Sequence, residues 1–181
     1  MTRRPPRAAI SLGCNLGDCA RTLASARDAI RAIEGIVVLG ATADIVTEAI
    51  GPGPQGAYLN AMVLVRSTIA PAALLAQLHA IEERHGRQRG VRHAPRTLDL
   101  DLVWEEATVS RDRALVLPHP ALGVRPWLAE QLTALAGAGV TAQAIRFVED
   151  REWRDPRLPL PEPRLPWDED MVYSPHPNPA R

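Results

Sequence analysis

Residues 97–102 alternate strictly between polar side chains and leucine. Because successive side chains of a β-strand point to opposite faces of a sheet, the three leucines would lie on one face, with Asp99 and Asp101 on the other. Buried leucines on one face also fix the register of such a strand. The pattern therefore predicts a sheet strand with one apolar face and one acidic face.

The rest of the chain divides into short segments with strand or helix periodicity. In order, they are a strand over 8–12, a helix capped by Asp18 and stopped at Gly35, a strand over 36–47 bent at Gly40, a strand over 58–65, a helix from Pro71 to Gly86, and a strand over 97–104. This β-α-β-β-α-β order is typical of a ferredoxin-like α+β sandwich, in which two helices cover one face of an antiparallel sheet. The other face is then left for a site. A short strand over 115–117 and a helix over 126–136 would follow.

The size of the chain, 181 residues with 46% hydrophobic and 23% charged side chains, suits one globular domain. Beyond Arg154, closely spaced prolines preclude regular structure. We therefore predict one domain over residues 1–150 and a proline-rich tail over 151–181. The tail would be ordered only against the domain or against a protein partner.

The charged residues exclude several function classes. The net charge is zero, so nothing global indicates a nucleic acid or an anionic membrane as partner. No stretch approaches the ~18 consecutive apolar residues of a membrane span. All 21 basic residues are arginine, which excludes a Walker-type phosphate loop and a lysine Schiff base.

The only two cysteines of the chain, Cys14 and Cys19, are five positions apart, a spacing that matches no metal pattern. Two cysteines are also too few for a disulfide framework. We expect them to be small, partly buried residues in a reducing compartment, and we predict a cytoplasmic protein.

Asp99 and Asp101 carry the strongest chemical signal. Two carboxylates at i and i+2 on one face of a strand repel each other unless a cation or arginines offset their charge. Magnesium prefers one or two carboxylates together with phosphates and waters. A bare D-x-D pattern is more often a solvated outer face, but the flanking leucines and the arginines upstream favour a metal site.

Five arginines fall within the thirteen residues before this strand: Arg84, Arg87, Arg89, Arg92 and Arg96. Guanidinium groups bind phosphate oxygens in bidentate fashion. A basic loop beside a carboxylate pair suits phosphoryl chemistry, which depends on positioning and on charge neutralisation. The alternatives are a solvated loop or a nucleic-acid contact, and the lack of interleaved aromatic residues disfavours the second.

Other polar and aromatic residues are less decisive. Tyr58 and Asn60 would share a strand face and could recognise a flat heterocycle, or they could be a core aromatic and a strand edge. Trp127 lies on a helix and is more often a core residue there. His119, between two prolines, could contact a phosphate or be structural. His79 and Glu82 are three positions apart and share one face of a helix. This spacing does not show whether the pair points into the protein or towards solvent.

Taken together, these motifs resemble the 6-hydroxymethyl-7,8-dihydropterin pyrophosphokinase family of folate synthesis. The resemblance covers residues 8–136 in order and at similar spacing. The segments that carry it are 11–18 (SLGCNLGD), Thr47 with 51–52 (GP), 58–61 (YLNA), 81–82 (IE), 86–89 (GRQR), 92–102 (RHAPRTLDLDL), 118–120 (PHP) and 125–127 (RPW).

The resemblance implies transfer of the β,γ-diphosphate of ATP to the hydroxymethyl oxygen of a dihydropterin, with release of AMP. Two magnesium ions would bridge Asp99 and Asp101 to the ATP phosphates. The ATP site implied by the same match consists of Glu82, Arg87, Arg89, Arg92, Arg96, His119 and Arg125, with Arg92 and Arg96 closest to the chemistry. The implied pterin site consists of Tyr58 and Trp127 on the two faces of the ring, with Thr47, Asn60 and the backbone of Ile50 at its edge.

The chain also departs from the family pattern. His93-Ala94 stand where the family usually has Trp-Gly, and Glu48-Ala49 replace prolines. Cys14 replaces a common serine. These departures leave two alternatives open, namely a paralogue that acts on a modified pterin and a catalytically silent ferredoxin-like binding module. An RNA-binding role for the basic loop is a more distant alternative.

Overall fold

Five strands form one antiparallel sheet in the computed structural model, which describes residues 4–49, 56–87 and 95–149. The strands are β1 (Arg7–Cys14), β2 (Ile36–Ala41), β3 (Ile45–Thr47), β4 (Tyr58–Ser67) and β5 (Asp99–Glu105). Their spatial order is β2-β4-β1-β5, and β3 pairs with the first residues of β4. The long strands β1 and β4 therefore form the centre of the sheet.

Two helices, α1 (Cys19–Arg31) and α2 (Pro71–Arg84), cover one face of the sheet. The Asp18 side chain caps α1 by accepting a hydrogen bond from the backbone N–H of Arg21, at 3.1 Å. Pro71 occupies the first turn of α2, where its missing N–H costs nothing. The buried residues of both helices pack against alternate residues of the strands. Among these residues are the three leucines of the 97–102 repeat, as the alternation predicts.

The order β1-α1-β2-β3-β4-α2-β5 confirms the predicted ferredoxin-like α+β class. Each helix connects two strands that have a third strand between them. The predicted strand over 36–47 is, however, two strands. Its register shifts between Val38 and Gly40, and the chain then leaves the ladder. At the break, the backbone and the hydroxyl of Thr42 both bond to the backbone of Met62, each at 2.9 Å.

The second face of the sheet is half covered, which the sequence did not indicate. A 3₁₀-helix (Pro120–Gly123), α3 (Pro126–Ala136) and α4 (Ala138–Glu149) pack against Ala9, Met62, Leu64 and Val103. The helix over 126–136 was predicted, whereas α4 was not. A hairpin of β6 (Ser110–Asp112) and β7 (Leu115–Leu117) precedes them, and only its second strand was predicted. The open part of this face is the end that carries the polar residues of β1, β4 and β5.

Cys14 and Cys19 form a disulfide, with Cα atoms 5.4 Å apart. The expectation from the sequence that these two cysteines are unpaired is therefore wrong. The spacing alone could not show the pairing, because it depends on the tight turn between the end of β1 and the start of α1.

Two further predictions concern the rest of the chain. No helix among the described residues is long and apolar enough to cross a membrane. The predicted proline-rich tail, residues 151–181, lies outside the described residues.

Replacing Leu100 by alanine tests the packing of β5 on the two helices. Leu100 is fully buried, so Leu100→Ala should lower the free energy of unfolding by about 2–5 kcal/mol. The matched control is Leu39→Ala, because Leu39 lies on an edge strand and is 42% exposed. The control should cost about 1 kcal/mol or less in chemical denaturation. Equal losses in both variants would contradict the described burial of β5.

Candidate active site

The register of the three neighbouring strands brings the polar residues to one end of the half-open face. Gly13 of β1 lies opposite Asn60 of β4 on one side and opposite Asp99 of β5 on the other. Ser11 lies opposite Asp101 in the same way. Directly paired residues point to the same face, so both aspartates and Asn60 project beside β1.

These side chains line a cleft that encloses roughly 610 Å³, part of it open to solvent. The residues that line the cleft are Ser11, Leu12, Gly13, Thr47, Glu48, Tyr58, Asn60, Arg96, Asp99, Asp101, Arg125 and Trp127. The carboxylate pair and the aromatic residues singled out from the sequence thus share one cavity.

Asp99 is held by two guanidinium groups. Its Oδ1 lies 2.6 Å from Nη1 of Arg87, and its Oδ2 lies 2.6 Å from Nη1 of Arg96. Arg87 also pairs with the buried carboxylate of Glu82. All these groups are mostly shielded from solvent, so their charges act in a medium less polar than water.

Among the described residues, no pair of arginines contacts Asp101 directly, and the environment of Asp101 disfavours its charged form. Burial raises the pKa of Asp101, and the negative charge of Asp99 raises it further. Three basic groups oppose this shift: His119, Arg87 and Arg96. The two neighbouring carboxylates therefore create a local excess of negative charge that a bound cation would relieve.

The donor set fits a hard cation that completes its shell with ligand oxygens. Within the described parts of the chain, no group of three or more His, Cys, Asp or Glu side chains could hold a metal ion. Two carboxylates alone suit magnesium, which keeps waters and binds substrate phosphates in addition to one or two protein carboxylates. The site is therefore compatible with a metal that arrives together with a phosphate ligand.

Glu82 lies behind this pair and is fully buried on α2. Its Oε1 accepts a hydrogen bond from the backbone N–H of Leu100, at 2.7 Å, which ties α2 to β5 between the two aspartates. Burial raises the pKa of Glu82 to about 7, while this hydrogen bond and the charge of Arg87 act in the opposite direction. Its Oε2 has no partner among the described protein atoms.

The other end of the cleft is suited to a flat ring. Asn60 is 4% exposed and donates from Nδ2 to the hydroxyl of Thr47, at 2.7 Å. Tyr58 lies opposite Thr47 in the ladder between β3 and β4. Trp127, in the first turn of α3, faces the same cleft, with the Arg125 guanidinium carbon 6.0 Å from its ring centroid. The two aromatic rings can stack on a heterocycle, and the Asn60 amide can hydrogen-bond to the edge of that heterocycle.

Most of the site residues predicted from the sequence lie close together. Some of them line the cleft, and others lie behind the residues that line it. Glu82 and Arg87 lie behind Asp99, and His119 influences Asp101 electrostatically without lining the cleft. The predictions for Ile50, Arg89 and Arg92, as well as the His93-Ala94 departure, fall outside the described residues.

The sequence reasoning missed four residues of the cleft wall, namely Ser11, Leu12, Gly13 and Glu48. The alternation of β1 could have indicated Ser11 and Gly13, because they fall on the face opposite its buried isoleucine and leucine. Glu48 follows β3 directly, and no pattern in the sequence places it in the wall.

The half-open sheet face combines a carboxylate pair, arginines and two aromatic residues, Tyr58 and Trp127. It is typical of a transferase that handles a polyphosphate and a flat acceptor.

Comparison with known proteins specifies the class. Residues 9–137 match the sequence model of the family described as 7,8-dihydro-6-hydroxymethylpterin-pyrophosphokinase. The chain belongs to this family.

Three relatives named 2-amino-4-hydroxy-6-hydroxymethyldihydropteridine pyrophosphokinase illustrate the similarity. The protein of Synechocystis sp. is 35% identical over 129 residues, which are 71% of this chain and 66% of that protein. The protein of Methylorubrum extorquens is 36% identical over 130 residues, 72% of this chain and 82% of the relative. The protein of Pseudomonas putida is 38% identical over 113 residues, 62% of this chain and 93% of the relative.

A methyl group at Gly13 tests the close approach of the three strands. An added Cβ would lie 3.0 Å from Oδ1 of Asn60 and 3.8 Å from Cβ of Asp99. The buried Asn60 amide would have to move and weaken its bond to Thr47, so Gly13→Ala should lower the free energy of unfolding by about 1–3 kcal/mol. Gly139→Ala on α4 is the control, because its Cβ would meet open space. If denaturation shows that Gly13→Ala is as stable as the control, β1 does not separate the two strands as described.

Proposed function

We propose that this chain transfers the diphosphate group of ATP to the hydroxymethyl oxygen of 6-hydroxymethyl-7,8-dihydropterin, giving AMP and the pterin diphosphate for folate synthesis. The observation that carries the proposal is that Asp99 and Asp101 share one cleft with Tyr58, Asn60 and Trp127. Membership of the pyrophosphokinase family supports the reaction class, and the cleft supports an acceptor that is a flat ring.

The pterin is proposed to bind between the rings of Tyr58 and Trp127. Thr47 and Asn60 would hydrogen-bond to the edge of the ring, and the existing bond between them keeps the amide in one orientation. The backbone of Ile50 is proposed as a further contact at this edge. Because Asn60 is buried and already hydrogen-bonded to Thr47, little side-chain entropy would be lost when the ring binds.

Asp99 and Asp101 are proposed to hold two magnesium ions together with the triphosphate. When bound, the metal neutralises phosphate charge and aligns the reacting groups. To help hold the metal, Asp99 would release its two guanidinium partners, and Arg87 and Arg96 would then be able to bind phosphate oxygens. The arginines therefore offset the carboxylate charge in one state and the phosphate charge in the other.

The remaining ATP contacts are proposed from the family resemblance and from the positions in the structure. Arg125 lies in the cleft beside Trp127, close to where the triphosphate would meet the pterin. Glu82, which pairs with Arg87 on the helix side of the sheet, is proposed to belong to the nucleotide site, and His119 is proposed as a further phosphate ligand. Arg89 and Arg92 are proposed phosphate ligands as well, and Arg92 and Arg96 are proposed to act closest to the reacting atoms.

In the proposed step, the hydroxymethyl oxygen attacks the β-phosphorus of ATP. The bond from this phosphorus to the oxygen that bridges to the α-phosphate breaks, AMP leaves with that oxygen, and the hydroxyl proton is released. The arginines stabilise the charge that develops on the leaving group and on the transferred phosphates. The chain's own contribution is thus orientation and fixed positive charge rather than a covalent intermediate.

The domain division at residue 150 and the cytoplasm as the site of action remain part of the proposal. The family match ends at residue 137, inside the proposed domain. A proline-rich tail over 151–181 would then be an addition to the catalytic unit, open to a protein contact.

The proposal is tested by incubating the purified chain with ATP, magnesium and 6-hydroxymethyl-7,8-dihydropterin. AMP should form in proportion to the pterin, and removal of magnesium by a chelator should stop the reaction. If no pterin-dependent AMP forms, the chain is a silent binding module or acts on another acceptor.

Substitution of the two aspartates tests their role in the same assay. Asp99→Asn and Asp101→Asn keep side-chain shape but remove a metal-binding charge, so each should lower kcat by at least about a hundredfold. Asp28→Asn is the control, because Asp28 is an exposed residue of α1 that pairs only with the neighbouring Arg31 among the described contacts. A variant of Asp99 or Asp101 that retains the control's rate would overturn the two-carboxylate site.

A further inference from the structure

The disulfide joins β1, which contributes Ser11, Leu12 and Gly13 to the wall of the active-site cleft, to the start of α1. Cys14 is the last residue of β1 and follows Gly13, while Cys19 is the first residue of α1. Cys14 is fully buried, and Cys19 is partly exposed. The bond therefore closes the turn 15–18 into a small ring beside the cleft.

Asn15, inside this ring, contacts both substrate-binding segments. Its side-chain Oδ1 accepts a hydrogen bond from the backbone N–H of Arg96 at 2.7 Å, and its own N–H donates to the Arg96 carbonyl at 3.1 Å. Its Nδ2 donates to the carbonyl of Gly56 at 3.5 Å, two residues before Tyr58. The position of the ring thus sets where the Arg96–Asp99 segment and the start of β4 lie relative to each other.

The stabilisation expected from a disulfide through the entropy of the unfolded chain is least when the closed loop is short. The ring here joins positions only five apart. Its larger effect is therefore local, on the conformations open to Asn15. The hydrogen bonds of Asn15 to Arg96 and Gly56 transmit that effect to the cleft.

We propose that Cys14 and Cys19 form a thiol–disulfide modification site that regulates the affinity of the adjacent cleft, a role that rests on the proposed function. In the disulfide form, the ring holds Asn15 in place and the ATP and pterin segments are preorganised. In the dithiol form, the turn 15–18 is released, and the cleft binds its substrates more weakly. The ligands of the site are thiol and disulfide reagents of the cell, either small molecules or proteins.

The difference in exposure specifies which sulfur reacts. A thiolate of a dithiol reductant attacks Sγ of Cys19, the bond to Sγ of Cys14 breaks, and Cys14 leaves as a thiolate that takes up a proton. The second thiol of the reductant then breaks the mixed disulfide and releases Cys19, which also takes up a proton. Two electrons and two protons pass from the dithiol to the pair, and a disulfide oxidant such as oxidised glutathione reverses the exchange.

The first test compares the oxidised protein with the same protein after treatment with a dithiol. Thiol counting by alkylation and mass spectrometry should find no free thiol before reduction and two after it. Amide hydrogen exchange around residues 15, 56 and 96 should become faster on reduction, whereas exchange in the centre of α3 should not change. Exchange that is the same in both states would overturn the proposal.

The second test measures KM for ATP and for the pterin in both states. Reduction should raise KM by about fivefold as preorganisation is lost, with a smaller change in kcat. The Cys14→Ser/Cys19→Ser double variant should have the KM of the reduced protein and should not respond to the dithiol. The regulation would be contradicted if the KM of the wild-type protein were the same in both redox states, or if the dithiol still changed the KM of the double variant.

The two tests fail separately from the proposed function. If neither state forms AMP, the pyrophosphokinase proposal fails, while the hydrogen-exchange comparison still decides whether the pair controls the cleft wall.

Discussion

The site depends on the absence of a side chain at Gly13. The central strand β1 separates β4, which carries Tyr58 and Asn60, from β5, which carries the carboxylates. At the cleft end of β1 stands Gly13, where an added Cβ would lie 3.0 Å from Oδ1 of Asn60. Because nothing projects from that position, the two neighbouring strands present their side chains to one shared cavity. A larger residue would divide the cavity between a ring site and a phosphate site.

Charge balance is the second requirement of this arrangement. Ionisation of Asp101 is costly, because burial raises the pKa of this carboxyl and the negative charge of Asp99 raises it further. The structure offsets this cost with Arg87 and Arg96 on Asp99, and it holds Arg87 in turn with Glu82. In the proposed reaction this chain of alternating charges would rearrange, because Asp99 would bind the metal while Arg87 and Arg96 would bind phosphate oxygens. The same residues can therefore support the free and the loaded site.

Local patterns in the sequence predicted most of the strands and helices that form this site. The features that the sequence did not predict depend on long-range contacts. Alternation in residues 97–102 indicated both the buried leucines and the outward aspartates, because period-2 patterning is read directly from a strand. The α4 helix, the break between β2 and β3, and the disulfide had no equivalent signal. Each depends on contacts between residues that are distant in the sequence or brought together by a turn. An example is the pair of hydrogen bonds between Thr42 and the backbone of Met62. Glu48 in the cleft wall is a further example, since its position follows from the end of β3.

Labelled ATP tests diphosphate transfer most directly, because this reaction requires the β- and γ-phosphates to move as one unit to the pterin. ATP carrying a radioactive β-phosphate should give a labelled pterin product and unlabelled AMP, both dependent on magnesium. A label that remains in ADP would show transfer of a single phosphoryl group. That result would contradict the assignment of this cleft to diphosphate transfer.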